Sequence, residues 1–176
     1  IPVDHLLGVP ILAPYFEKRF ESCKDDLMVV SPDLGSVTRA RNFAARVDAP
    51  LAIVDKRRQR ANVCEVMNII GNVQGKKVVI VDDMIDTAGT LCNAAKAIID
   101  VGGATEVYAC ATHGVLSGPA IERLENSVIK ELVILDTIEQ PKEKMMDKLT
   151  ILPVAPVFAE AIERIYEDKP VSPLFG

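Results

Sequence analysis

The run VVIVDDMIDTAGT, residues 78–90, joins four aliphatic residues to two adjacent carboxylates, Asp82 and Asp83. A third acid, Asp86, then heads a stretch of small and hydroxyl residues ending at Thr90. Ala88 and Gly89 leave the backbone bare, so its N–H groups can approach an anion closely, and Thr87 and Thr90 add hydroxyl donors. A helix starting between Ala88 and Leu91 contributes a partial positive charge at that point. The combination suits a phosphate monoester. It is not a Walker loop, because the GxxxxGK[ST] spacing is absent. Asp82 and Asp83 would repel a phosphate, so they face something else: vicinal hydroxyls, or Mg²⁺. A ribose carrying a 5-phosphate satisfies both halves. The plainer reading is an N-cap at Asp86 or Thr87 beside surface acids. It accounts for Asp86 but not for two acids at the end of a β-branched run.

Two further polar clusters follow apolar runs. SPDLGS (31–36) places Asp33, Leu34, Gly35 and Ser36 between a strand and a helix. It reads either as a turn capped by Ser31 or Asp33, or as a second anion loop in which Asp33 holds a metal ion that bridges phosphates. Arg39 and Arg41, on the helix behind it, read as solvated. DKRRQR (55–60) carries four cations in six residues of an acidic chain. It reads as a basic surface loop, or as a flexible one that closes over a polyphosphate.

These clusters need elements to hold them. LMVV (27–30), LAIV (51–54), VVIV (78–81), VYAC (107–110) and LVIL (132–135) are short and continuously apolar, as strands buried on both faces are. Residues 37–47, 91–103, 119–126 and 156–169 have helical patterns. Alternation of strand and helix predicts an α/β domain: a parallel sheet flanked by helices on both faces. In such sheets ligands lie beyond the carboxyl ends of the strands, where all three polar clusters fall.

The chain's 176 residues, 49% hydrophobic and 26% charged, suit one globular domain. A net charge of −5, 5% aromatic residues and no Trp argue against a nucleic-acid partner. No apolar run approaches a membrane span and no signal segment opens the chain. Four cysteines sit singly and there are two His, which reads as reduced thiols in a cytoplasmic protein without a zinc site. The first residue is Ile1 rather than Met, which suggests a trimmed chain or a sequence beginning inside a longer protein.

With these residues in view, VVIVDDMIDTAGT resembles the phosphoribosyl-diphosphate (PRPP) motif of type I phosphoribosyltransferase-like, Rossmann-like folds. SPDLGSVTRAR, VDKRRQRANVCEVMNIIGNVQGK, ACATHGVLSGPAIERL and AEAIERIYEDKPVSPLF extend the likeness over the whole chain to the class I ribose-phosphate pyrophosphokinases. The resemblance implies ATP + ribose 5-phosphate → PRPP + AMP with Mg²⁺, the 1-hydroxyl attacking the β-phosphorus. It implies that Asp86, Thr87, Ala88, Gly89 and Thr90 hold the 5-phosphate and that Asp82 and Asp83 take the ribose hydroxyls. Asp33 to Ser36 would form the pyrophosphate loop, with Asp33 near Mg²⁺. Lys56 and Arg58 match the catalytic basic pair, and Ser172 matches a tail that binds regulatory ADP or phosphate. Ser36 stands where the family pattern SPDxGG has a second Gly. The likeness covers the second of the family's two domains. It implies a missing N-terminal domain that supplies a catalytic His and much of the adenine pocket, and a homo-oligomer, commonly a hexamer. Two alternatives remain: a phosphoribosyltransferase that consumes PRPP, and a non-catalytic regulatory homologue.

Overall fold

The architecture is that of a computed structural model, which describes residues 3–57 and 66–175. Seven strands form one sheet: β1 (Leu27–Ser31), β2 (Leu51–Arg57), β3 (Val66–Ile70), β4 (Lys77–Ile85), β5 (Glu106–Gly114), β6 (Ile129–Leu135) and β7 (Leu149–Leu152). Their order is β3-β2-β1-β4-β5-β6-β7, parallel throughout except for β3, which runs antiparallel to β2. The five expected strands are present. Two more flank them, at the sheet's two edges.

Five α-helices cover the faces: α1 (Val9–Arg19), α2 (Val37–Arg46), α3 (Gly89–Asp100), α4 (Ala120–Glu125) and α5 (Ala155–Tyr166). The strands alternate between two cores, as a two-residue side-chain period requires. Met28, Val30, Val78, Ile80, Val107 and Ala109 pack under α3 and α4. Leu27, Val29, Val79, Val81, Tyr108 and Cys110 pack under α1 and α2, where Phe16 meets Phe43 edge to face at 5.9 Å. The continuous apolarity of these runs therefore reflects burial on both sides. Helix α1 is not among the expected helices; Pro14 inside it interrupts the helical signal. Among the described residues no helix is long and apolar enough to cross a membrane.

The chain leaves β1 through α2 toward β2 on one side, and β4 pairs with β1 on the other. Strand order reverses at this point, so the carboxyl ends of β1 and β4 open a crevice between their following loops. The sheet topology thus brings the loop after β1 against the end of β4, as the bond between Ser36 and Asp82, 46 residues apart, records.

Candidate active site

A cavity of about 420 Å³ occupies that crevice. It is lined by Asp33, Gly35, Ser36 and Arg39 from the β1–α2 side and by residues 82–91 from the β4–α3 side. Leu34 is 63% exposed and does not line it. In the β1 loop, Oδ1 of Asp33 accepts a hydrogen bond from the Ser36 backbone N–H at 2.9 Å. A Cβ at Gly35 would lie 3.3 Å from that same oxygen, so the turn packs closely on the carboxylate. Ser36 sits at φ −91°, ordinary for an L-residue, so its side chain costs the turn nothing. Its hydroxyl donates to Asp82 Oδ1 at 3.1 Å.

Strand β4 runs through Ile85, so Asp82 and Asp83 belong to the strand rather than to a loop after it. Both line the cavity, but they differ in burial, Asp82 being half-buried and Asp83 exposed. Burial pushes the Asp82 carboxyl up to about 6, although its bonds from the Asp83 N–H and Ser36 pull the other way. Asp83 is more exposed. Burial works upward on it too, but its interaction with Asp82, the Arg39 guanidinium and backbone N–H groups hold it below the usual carboxylate value. Arg39 Nη2 lies 2.9 Å from Asp83 Oδ2, and Nη1 lies 3.8 Å from Asp82 Oδ1. Arg39 is therefore part of the site and not a solvated helix residue. The spacing of α2 alone carried no sign of this, since its partner lies 44 residues away.

The turn from β4 into α3 has its strained residue at Ala88, φ +57°, not at Gly89. A left-handed Ala is uncommon and is held by its surroundings. Those surroundings are the segment after β5. Val115 and Leu116 N–H groups both donate to the Ile85 carbonyl at 3.0 Å, and Ser117 N–H donates to the Asp86 carbonyl at 3.0 Å. The Ser117 hydroxyl donates to Asp86 Oδ1. Arg123 Nη1, from α4, donates to the Thr87 carbonyl at 2.9 Å. Asp86 is thus engaged by Ser117, and α3 has no side-chain cap. The first-turn N–H groups of a helix have no intrahelical acceptor, so those of α3 remain open to a ligand at the cavity.

Two expected features fall elsewhere. Asp55, Lys56 and Arg57 lie in β2, in register with Asn68, Met67 and Val66 of β3, so the basic run begins as a strand. Arg58 and the rest of that loop, with Cys64, lie outside the described residues. Ser172 is exposed on the C-terminal tail, away from the cavity. His113 is held by Thr137, whose hydroxyl donates to the Thr112 carbonyl at 2.9 Å and so accepts from Nδ1 at 2.8 Å. Among the described residues no three His, Cys, Asp or Glu side chains group closely enough to hold a metal by themselves.

Residues 57–176 match the family model of the phosphoribosyl synthetase-associated domain. The chain is 66% identical over 175 residues to a ribose-phosphate pyrophosphokinase of Caldanaerobacter subterraneus subsp. tengcongensis and 64% identical to that of Clostridium acetobutylicum. Each match covers 99% of this chain but 54% of the relative, so the chain spans about half the length of the curated relatives it matches. Among solved structures, it is similar to phosphoribosylpyrophosphate synthetase from Mycobacterium smegmatis, with a TM-score of 0.84 and 36% identity over 95% of this chain and 53% of that one. An orotate phosphoribosyltransferase from Aeropyrum pernix shares the fold at a TM-score of 0.54 and 17% identity, covering 86% of this chain and 75% of that one.

Proposed function

This chain belongs to the phosphoribosyl synthetase-associated domain family, and from that premise we propose that it is the ribose 5-phosphate- and diphosphate-binding half of a ribose-phosphate diphosphokinase. The observation that carries the reading is the division of one cavity into two chemistries: paired carboxylates at Asp82 and Asp83, and open N–H groups with Thr hydroxyls at residues 87–90. A ribose 5-phosphate lies across it with its phosphate in the loop and its hydroxyls on the carboxylates. Ionised, both carboxylates present only acceptors to those hydroxyls. Arg39 keeps Asp83 charged and fixed in direction, and Ser36 does the same for one oxygen of Asp82.

The loop Asp33 to Ser36, which faces the same cavity through Asp33, Gly35 and Ser36, receives the diphosphate. Mg²⁺ fits this arrangement, since it is held by one or two carboxylates together with substrate phosphates and water, and not by a full protein cage. Asp33 is the carboxylate positioned to share it. When bound, the ion would neutralise charge on the transferring phosphoryl oxygens. This chain's own residues align the 1-hydroxyl of the ribose with the diphosphate, which is where proximity lowers the barrier. Lys56 and Arg58 stabilise charge on the transferring group.

ATP's adenine, in this reading, is held largely by a further N-terminal domain, and the assembly is a cytoplasmic homo-oligomer, a hexamer by family resemblance. The test is an AMP-release assay with ATP and ribose 5-phosphate. A full-length protein carrying this chain should release AMP and PRPP in equal amounts. The 176-residue chain alone should bind ribose 5-phosphate yet release little AMP. Consumption of PRPP with a nucleobase, and no AMP from ATP, would favour a phosphoribosyltransferase. Ligand binding without either turnover would favour a regulator.

A further inference from the structure

The segment 115–123 carries part of the LSGPAIERL motif, for which the reaction itself gives no use. It touches none of the cavity, yet it grips three consecutive carbonyls of the loop that does. Ile85 O is held by Val115 and Leu116, Asp86 O by Ser117, and Thr87 O by Arg123. All three peptides are trans. In a planar trans peptide the N–H points opposite to the carbonyl. Pinning these carbonyls on the side of α4 therefore sends the N–H groups of Asp86, Thr87 and Ala88 to the other side, where those residues line the cavity.

The fit at Gly89 is equally specific. A Cβ there would lie 3.3 Å from Arg123 Nη1 and 3.9 Å from its Cζ. Gly89 has no positive φ, so its lack of a side chain serves this close approach and not a left-handed turn. The left-handed turn falls on Ala88, between the pinned Thr87 carbonyl and the start of α3. The Asp86 carboxylate, which would oppose an anion, is drawn off by the Ser117 hydroxyl.

We infer that Arg123, with Ser117, is a positioning residue for the anion loop: it sets the orientation of the peptides at residues 86–88, and so the loop's affinity for a phosphate group. The inference rests on the reading of that loop as the 5-phosphate site. It acts through backbone orientation, so its signature is a loss of phosphate affinity without a matching loss of fold stability.

The test titrates inorganic phosphate into the ¹⁵N-labelled chain and follows the amides of residues 86–90, for wild type, Arg123→Ala, Arg123→Lys and Ser117→Ala. Melting temperature is measured beside each. Losing one charge-assisted bond to the loop should weaken phosphate binding about tenfold in Arg123→Ala. Amide shifts outside residues 86–90 and α4 should stay in place, and so should the melting temperature. Arg123→Lys, which keeps a cationic donor, should recover part of the affinity. Ser117→Ala should weaken binding by leaving the Asp86 carboxylate free to face the anion. Phosphate binding by Arg123→Ala as tight as wild type would overturn the inference. So would a loss of affinity that only tracks unfolding. A wild-type chain whose 86–90 amides ignore phosphate would instead remove the anion site itself, and this inference with it.

Discussion

Arg39, one turn into α2, places its Nη2 2.9 Å from Oδ2 of Asp83 on β4, across the crevice between β1 and β4. This contact closes one wall of the site and separates the behaviour of two neighbouring carboxyls. The interaction with Asp82 and the guanidinium hold Asp83 below its ordinary value, while burial pushes Asp82 up to about 6.

Asp82→Asn should bind ribose 5-phosphate more weakly and melt at a higher temperature at pH 8. The folded-state value of about 6 stands above the ordinary 3.8. The folded chain therefore binds this proton more tightly than the unfolded chain, and stability falls as pH rises between the two values. The ionised carboxylate's burial cost is fully present above pH 6 and absent below the ordinary value. Wild type and variant should thus converge in melting temperature on acidification. Calorimetric melts at pH 8 and pH 4 would show it.

Arg39→Leu should raise the pH at which Asp83 titrates, read directly by carboxyl ¹³C shifts. Asp83's value is depressed, so the stability it contributes is present at neutral pH and lost as pH falls through its own titration. The melting difference between wild type and Arg39→Leu should close once Asp83 is protonated. A difference that persists at that pH would mean that Arg39 stabilises the fold by packing alone.

The strand runs and the main helices were legible because burial on both faces leaves an unbroken apolar signature, as in Val78 to Val81. The edge strand β3 was not, because Val66–Ile70 becomes a strand through its antiparallel pairing with β2. The proposed anion loop rests on Ala88, Gly89 and the two threonines, which are local features of the sequence. Arg39 and Arg123 could not. Each acquires its role from a partner more than 30 residues away, and helical periodicity is silent about that. At Ser36, where the family pattern has Gly, φ is one that any residue adopts and the hydroxyl serves Asp82.

Ser36→Gly, which restores the family's glycine, should accordingly destabilise the chain and not relieve it. Extra backbone freedom and loss of the bond to Asp82 should cost roughly 0.5–1 kcal/mol. Denaturant melts would read this, and a more stable variant would show that the turn is strained by the serine after all.

Lys56→Ala and Arg58→Ala, placed in a full-length enzyme carrying this chain, should each lower kcat on the order of a hundredfold. The KM for ribose 5-phosphate should change little if, as proposed, these cations act on the transferring group and not on the ribose end. Steady-state assays of AMP release would separate the two effects. Unchanged turnover would reduce the cluster to a solvated surface.

The central claim is that one ribose phosphate spans both halves of the cavity. The most direct measurement follows the backbone amides of residues 87–90 and the side-chain carboxyls of Asp82 and Asp83 by NMR, at pH 7.5, during titration with ribose 5-phosphate and separately with inorganic phosphate. Ribose 5-phosphate should shift both groups with a single dissociation constant, and inorganic phosphate should shift the loop amides while leaving the carboxyls in place. Ribose 5-phosphate that shifts the loop but not the carboxyls, or neither, would contradict the account.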